Sequence, residues 1–157
     1  MKNNVLGETM PMIDIVKKVP SLREAIVEAQ VFAKPEVLNL IQKGKIPKGN
    51  VLEAARTAGI LASKKTPYLL PLCHPIPIEY ARVDFSIKKK FIKVIATIKG
   101  EAKTGVEMEA FSAAAVAALT IYDMCKALDR GIVISGLRLL KKAGGKSGTY
   151  LRKEKNV

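Results

Sequence analysis

The sequence predicts an α+β fold in which helices pack on one face of an antiparallel sheet. Three observations carry this prediction. Val83, Phe85 and Ile87, and then Ile92, Val94, Ala96 and Ile98, alternate with other residues on either side of Lys88-Lys89-Lys90, the pattern of a hairpin with one buried face. Ala110 to Tyr122 carries no charge and is rich in alanine, which marks a buried helix. Helical signals precede the hairpin and a last apolar run follows the long helix, so the order reads strand, helices, hairpin, helix, strand.

Residues 1–10 read as a mobile arm, a common fate of polar termini. Met12 to Val16 alternates and predicts a short strand. Ser21 with Glu24 forms a capping box, and Leu22, Ile26, Ala29 and Ala33 follow at helical spacing, so a helix is expected there. Pro35 opens a second helix through about Gln42, closed by Gly44. A third runs from Asn50 to Ser63. Pro67, Pro71, Pro75 and Pro77 then predict an extended or turning path, since proline disrupts a helix interior. Val106 to about Leu128 is the longest helix. Its 13 uncharged residues fall short of the roughly 20 needed to span a membrane. A strand over about 132–140 leads into a basic, glycine-containing tail at 142–157.

The 157 residues fit one domain, and no linker or repeat divides them. The formal net charge is +13, which favours an anionic partner: nucleic acid, a membrane surface or a phosphate-rich metabolite. Two distant cysteines, Cys73 and Cys125, and a single histidine, His74, cannot assemble a zinc cluster. The N-terminus has no apolar run of signal-peptide length, so a cytoplasmic location is expected.

Four segments can carry chemistry. The proline-stiffened KTPYLLPLCHPIPI fixes how Cys73 and His74 are presented. In an extended chain the two point to opposite faces, which argues against a Cys–His nucleophilic pair. In TGVEME, Thr104 and Glu107 form a capping box for the long helix. Glu109 is less readily explained, although acids are favoured in a first turn. Its carboxylate suits the adjacent N–H donors of a guanine-like base. Asp123 and Lys126 share a helical face near the C-terminal end, where the dipole disfavours an acid, so they form either a structural ion pair or a functional one. Gly145-Lys146-Ser147 lacks the upstream glycine and following helix of a P-loop, but its N–H groups and Lys141, Lys142 and Lys146 can bind an anion. Lys48-Gly49 is a further turn suited to an anion at a helix start.

Together the stretches MIDI, KGNVLEAARTAGILASKKT, LLPLCHPIPI, KTGVEMEAFSAAAVAALTIYDMCKA and LLKKAGGKSG resemble the cyclic pyranopterin monophosphate synthases, also called molybdenum cofactor biosynthesis protein C. They are spread over about residues 12 to 150. The resemblance implies a ferredoxin-like α+β fold and a homohexamer, a trimer of dimers with active sites between subunits. It implies conversion of 3′,8-cyclo-7,8-dihydroguanosine 5′-triphosphate to cyclic pyranopterin monophosphate with release of pyrophosphate, a lyase reaction. By match of motif, Asp123, Lys126 and Lys48 fall on catalytic positions. Leu72, Cys73, His74, Met108 and Glu109, together with Glu107, fall on the substrate-binding segments. Arg23 and Lys146 match triphosphate ligands.

That chemistry needs proton donors and acceptors while a purine-derived ring opens and recloses, which Asp123, Lys126 and Lys48 can supply. It also needs cations on the triphosphate, which Arg23, Lys146 and Lys141 can supply. If burial and the cations Lys48 and Lys146 outweigh Asp123, Lys126 sits nearer neutrality than a free lysine. No cofactor is required by the sequence, and Mg²⁺ on the substrate phosphates is compatible with it. The small-residue face at Ala113 to Ala118 suits tight packing against another helix or subunit. The sequence departs from the family pattern with Asn50 in place of an aspartate and Arg130 in place of a lysine. The rival class is a nucleic-acid-binding module, favoured by charge and by the Gly-x-x-Gly at Gly145 to Gly148, as in KH loops. With eight aromatics and no stacking pair, single-strand readout lacks support.

Overall fold

The structure is a computed structural model, which describes residues 10–153. All of the expected arm except Met10 lies outside the described residues. Five strands form one antiparallel sheet in the order β2-β3-β1-β4-β5: β1 Ser21–Phe32, β2 Tyr80–Ile87, β3 Phe91–Ala102, β4 Val133–Ala143 and β5 Tyr150–Leu151. Helices α1 Pro35–Gln42 and α2 Val51–Leu69 connect β1 to β2, and α3 Glu107–Cys125 connects β3 to β4. This is the ferredoxin-like βαββαβ arrangement, with a short fifth strand added at the β4 edge.

Two expectations near the N-terminus are overturned. Residues 21–33 are not a helix; Ser21–Phe32 is the central strand, paired with both β3 and β4. Its Leu, Arg, Glu, Ala and Gln favour a helix, but Ala25, Val27, Ala29 and Val31 also fall at period two and are fully buried. Burying that face and pairing both edges outweighs propensity. Met12 to Val16 is not a strand. The Asp14 carboxylate accepts the Val16 N–H at 2.8 Å, closing a local turn with the N–H that a strand would offer a neighbour.

The buried face of the sheet carries Val83, Ile92, Val94, Ala96 and Ile98 beside the four β1 residues. Each fully buried Val or Ile contributes about 1.5–3 kcal/mol. Against it lies α3, whose Ala110, Ala113, Ala114, Ala117, Ala118, Ile121 and Cys125 are all fully buried. The alanine face is therefore used within the subunit rather than against a partner. A Cβ on Gly59 of α2 would stand 2.8 Å from the Ala113 carbonyl oxygen, so only glycine permits the approach of these two helices. By length and mean hydropathy (1.3) α3 is apolar enough to cross a membrane, yet it packs here against β1, β3, β4 and α2.

The third helix outruns its expected end at Ser63 and continues through Pro67 to Leu69. Pro67 lacks the N–H that would bond Ser63 O; the Thr66 hydroxyl donates to that carbonyl at 3.0 Å instead. The freed acceptor is thus satisfied and the helix survives its proline. Asn50 caps the same helix, accepting the Glu53 N–H at 3.2 Å. Arg130 is exposed in the turn before β4.

Candidate active site

Two cavities meet at the N-terminal end of α3. The smaller, about 140 Å³, is lined by Leu72, Cys73, His74, Met108 and Glu109, with Ile13, Thr104 and Gly105. Five of the residues assigned by motif to the substrate-binding segments are thus in one place, while Glu107 lines the larger cavity. The chain turns at Leu70, whose carbonyl accepts the Cys73 N–H at 3.0 Å, and it brings Cys73 and His74 to the same pocket rather than to opposite faces. Glu109 is only 3% exposed, and no side chain among the described residues hydrogen-bonds it. Burial, reinforced by nearby Glu107, pushes its carboxyl up to about 7. Burial, and then Glu109, raises the Cys73 thiol.

The larger cavity, about 930 Å³, shares Thr104 and Gly105 with the smaller one. It is lined by Arg23 on β1, Lys103 just after β3 and Lys142 on β4. Lys17, Lys18 and Lys146 also line it, and among the described residues Glu107 is the one acid. Six cations against one carboxylate make a strongly positive cleft, suited to a polyphosphate.

The capping box does not form. α3 starts at Glu107, with Val106 in the capping position and no side-chain cap. Glu107 instead folds over Gly105 and stands 3.8 Å from Lys142. Lys141 does not line the cleft. It pairs with Glu24 on the opposite face of the sheet, and the strand alternation places Lys142 in the cleft in its stead.

The basic tail is more structured than its composition suggests. β5 pairs with β4, and Gly144 and Gly145 pack against Leu22 and Arg23. Both glycines have positive φ, 95° and 76°, and a Cβ on Gly145 would overlap the Arg23 guanidinium. The Gly-x-x-Gly closes a turn, Gly148 N–H to Gly145 O at 3.2 Å, between two strands rather than between the two helices of a KH domain.

The third cluster lies at the other end of α3. Asp123 accepts from Lys126 at 2.6 Å and from Lys48 at 3.2 Å. The two lysines, Lys126 first, hold the Asp123 carboxyl below its usual range. Asp123 in turn raises Lys126. The condition for a near-neutral Lys126, burial outweighing Asp123, is not met within this subunit: its side chain is 51% exposed and paired, so burial has little purchase on it.

The MoaC family matches residues 12–145. The chain belongs to that family. It is 53% identical over 145 residues to the cyclic pyranopterin monophosphate synthase of Geobacter metallireducens, covering 91% of each chain. The enzyme of that name from Geobacter sulfurreducens is 51% identical over the same length, again covering 91% of each. That from Roseiflexus is 46% identical over 142 residues, covering 89% of this chain and 90% of the relative.

In this MoaC-family chain Lys142 and Lys146 of the basic, glycine-containing tail do line the cleft, whereas nothing in the sequence singled out Lys17, Lys18 and Lys103. They are three among 27 lysines and arginines.

Proposed function

We propose that the chain converts 3′,8-cyclo-7,8-dihydroguanosine 5′-triphosphate to cyclic pyranopterin monophosphate and pyrophosphate, in molybdenum cofactor biosynthesis. The observation that carries this reading is the junction at Thr104 and Gly105 of a small pocket floored by a buried carboxyl and a cationic cleft. A guanine-derived base offers neighbouring N–H donors to Glu109, while its triphosphate lies in the cleft on Arg23 and Lys146. Leu72, Met108, Cys73 and His74 enclose the base, and Glu107 offsets part of the cleft's charge beside Lys142. Mg²⁺ accompanying the phosphates is compatible with this reading.

Asp123, Lys126 and Lys48 cannot serve the pocket of their own subunit. At the 1.5 Å rise of an α-helix, Asp123 lies about 21 Å along α3 from Glu109. A site containing both needs the proton-carrying cluster of one subunit beside the pocket of another, which fits a homohexamer built from dimers. Exposed apolar side chains on Met108, Leu119, Leu69 and Leu72 supply a surface for that contact. The reading places the enzyme in the cytoplasm. Incubation with the cyclised nucleotide and detection of pyranopterin and pyrophosphate by mass tests it; absence of both products from correctly assembled protein overturns it.

A further inference from the structure

The segment before β1 touches both cavities. Ile13 lines the small pocket, and Lys17 and Lys18 line the cleft. The segment has no sheet partner among the described residues, yet three bonds shape it. Asp14 holds the Val16 N–H at 2.8 Å, the Lys18 N–H bonds Ile15 O at 3.1 Å, and Lys103 Nζ donates to Val16 O at 3.1 Å. The turn so formed presents Lys17 and Lys18 as adjacent cations apart from Lys142 on β4 and Lys146 in the loop that follows it.

The other cleft cations are partly committed. Arg23 Nε donates to Ala102 O at 3.3 Å, and Lys142 faces Glu107 at 3.8 Å. A triphosphate carries one charge on each inner phosphate and roughly two on its terminal one. Arg23, Lys103, Lys142 and Lys146, offset by Glu107, still leave that charge incompletely neutralised. Lys17 and Lys18 supply the difference.

We propose that Lys17 and Lys18 are specificity-determining residues that bind the outer phosphates and so select a triphosphate over shorter phosphate chains. This rests on the proposed function for the nucleotide, though not for the anion preference itself. Because Ile13 rides on the same turn, phosphate capture by the two lysines also fixes one wall of the base pocket. The lysines act on binding and contribute nothing to proton transfer.

The test compares the wild type with Lys17→Gln/Lys18→Gln and with Lys88→Gln/Lys89→Gln. The second pair removes the same charge from the exposed β2–β3 turn. Calorimetry follows the binding of inorganic triphosphate, pyrophosphate and phosphate to each protein. For the Lys17/Lys18 variant the expected loss is about tenfold or more for triphosphate, the scale of one charge-assisted hydrogen bond, and under about threefold for phosphate. The control pair should stay within about threefold for all three anions. With the cyclised nucleotide, the variant should raise KM and keep kcat.

Equal losses for all three anions, an equal loss in the control pair, no loss, or failure of the wild type to bind inorganic triphosphate would each overturn the proposal. A wild type that shows the anion pattern but forms no pyranopterin leaves the cleft assignment standing and removes the proposed reaction. Turnover without the anion pattern does the reverse.

Discussion

Lys48 grips Asp123 twice, donating from one Nζ to its backbone carbonyl at 2.9 Å and to its carboxylate at 3.2 Å. The carbonyl is among the last of α3, which have no intrahelical partner, and the carboxylate sits where the helix dipole disfavours an acid. One lysine from the turn before α2 answers both. Lys48→Met removes a cation that holds the Asp123 carboxyl low. The acidic limb of the kcat–pH profile should therefore move to higher pH, as well as turnover falling. A profile of unchanged shape would limit Lys48 to tying the loop to the helix.

Glu109 makes a separate prediction about pH. Its carboxyl is raised from 4.5 to about 7, so over that interval the folded chain holds a proton that the unfolded chain has released. Folding stability contributed by this group is present below about pH 4.5 and is lost as pH rises through 7. Relative to wild type, Glu109→Gln should remove a fall of up to about 3 kcal/mol across that window, at 1.36 kcal/mol per pH unit. Urea unfolding of both proteins from pH 4.5 to 8 measures it. Cys73, His74 and Glu107 are the other titratable groups around Glu109, so subtracting the two curves isolates its part. A base that donates N–H groups to Glu109 favours its ionised form, so substrate should bind more tightly as pH rises towards 7.

Phosphate recognition should be local and salt-sensitive. Arg23→Ala and Lys146→Ala should each weaken triphosphate binding by about 1–3 kcal/mol, the range for a charge-assisted hydrogen bond. DNA and RNA should bind weakly, with affinity falling steeply as salt rises. Nanomolar, sequence-selective RNA binding at physiological salt would instead favour a nucleic-acid-binding module.

The separation of Glu109 from Asp123 along α3 predicts complementation. At substrate levels that saturate only the wild type, Asp123→Ala and Lys146→Ala chains should each be strongly impaired as pure assemblies, because every site then lacks one component. In mixed assemblies some sites take Asp123 from one chain and Lys146 from the other, so partial activity should return. Mixed oligomers that stay equally impaired, while wild-type controls re-form with full activity, would rule out the shared site.

Much of this architecture was legible because single features had one physical meaning. The lysine turn between period-two runs could only be a hairpin, and the charge-free alanines of α3 only a buried helix. β1 was not legible, because helix-forming residues and period-two burial coexist in it and only the presence of β3 and β4 on both sides decides. The proline of α2 misled for a related reason: the repair by Thr66 needs a hydroxyl at one position, a signal too slight to outweigh Pro67. At the site, motif placed Leu72, Cys73, His74, Met108 and Glu109 together, as the pocket has them. The cleft's outer cations, Lys17, Lys18 and Lys103, reach it through chain folding that leaves no local pattern.

Lys126 gives the sharpest test of mechanism. Its hydrogen bond to Asp123 raises its proton affinity above that of an ordinary lysine, and its half-exposed side chain meets little opposing desolvation. Under the proposed function it would act from its charged form, as a proton donor paired with Asp123, rather than as a neutral base. Lys126→Arg preserves the charge and the pairing with Asp123, but a guanidinium does not release its proton in the working pH range. The substitution thus separates charge neutralisation from proton transfer. Substrate binding should remain nearly normal while turnover falls by about 10²-fold or more, the usual contribution of a general acid. Steady-state kcat and a direct binding measurement on the same variant check both halves. If turnover persists near the wild-type level, Lys126 only neutralises charge, and the proton steps belong to Asp123 and Lys48.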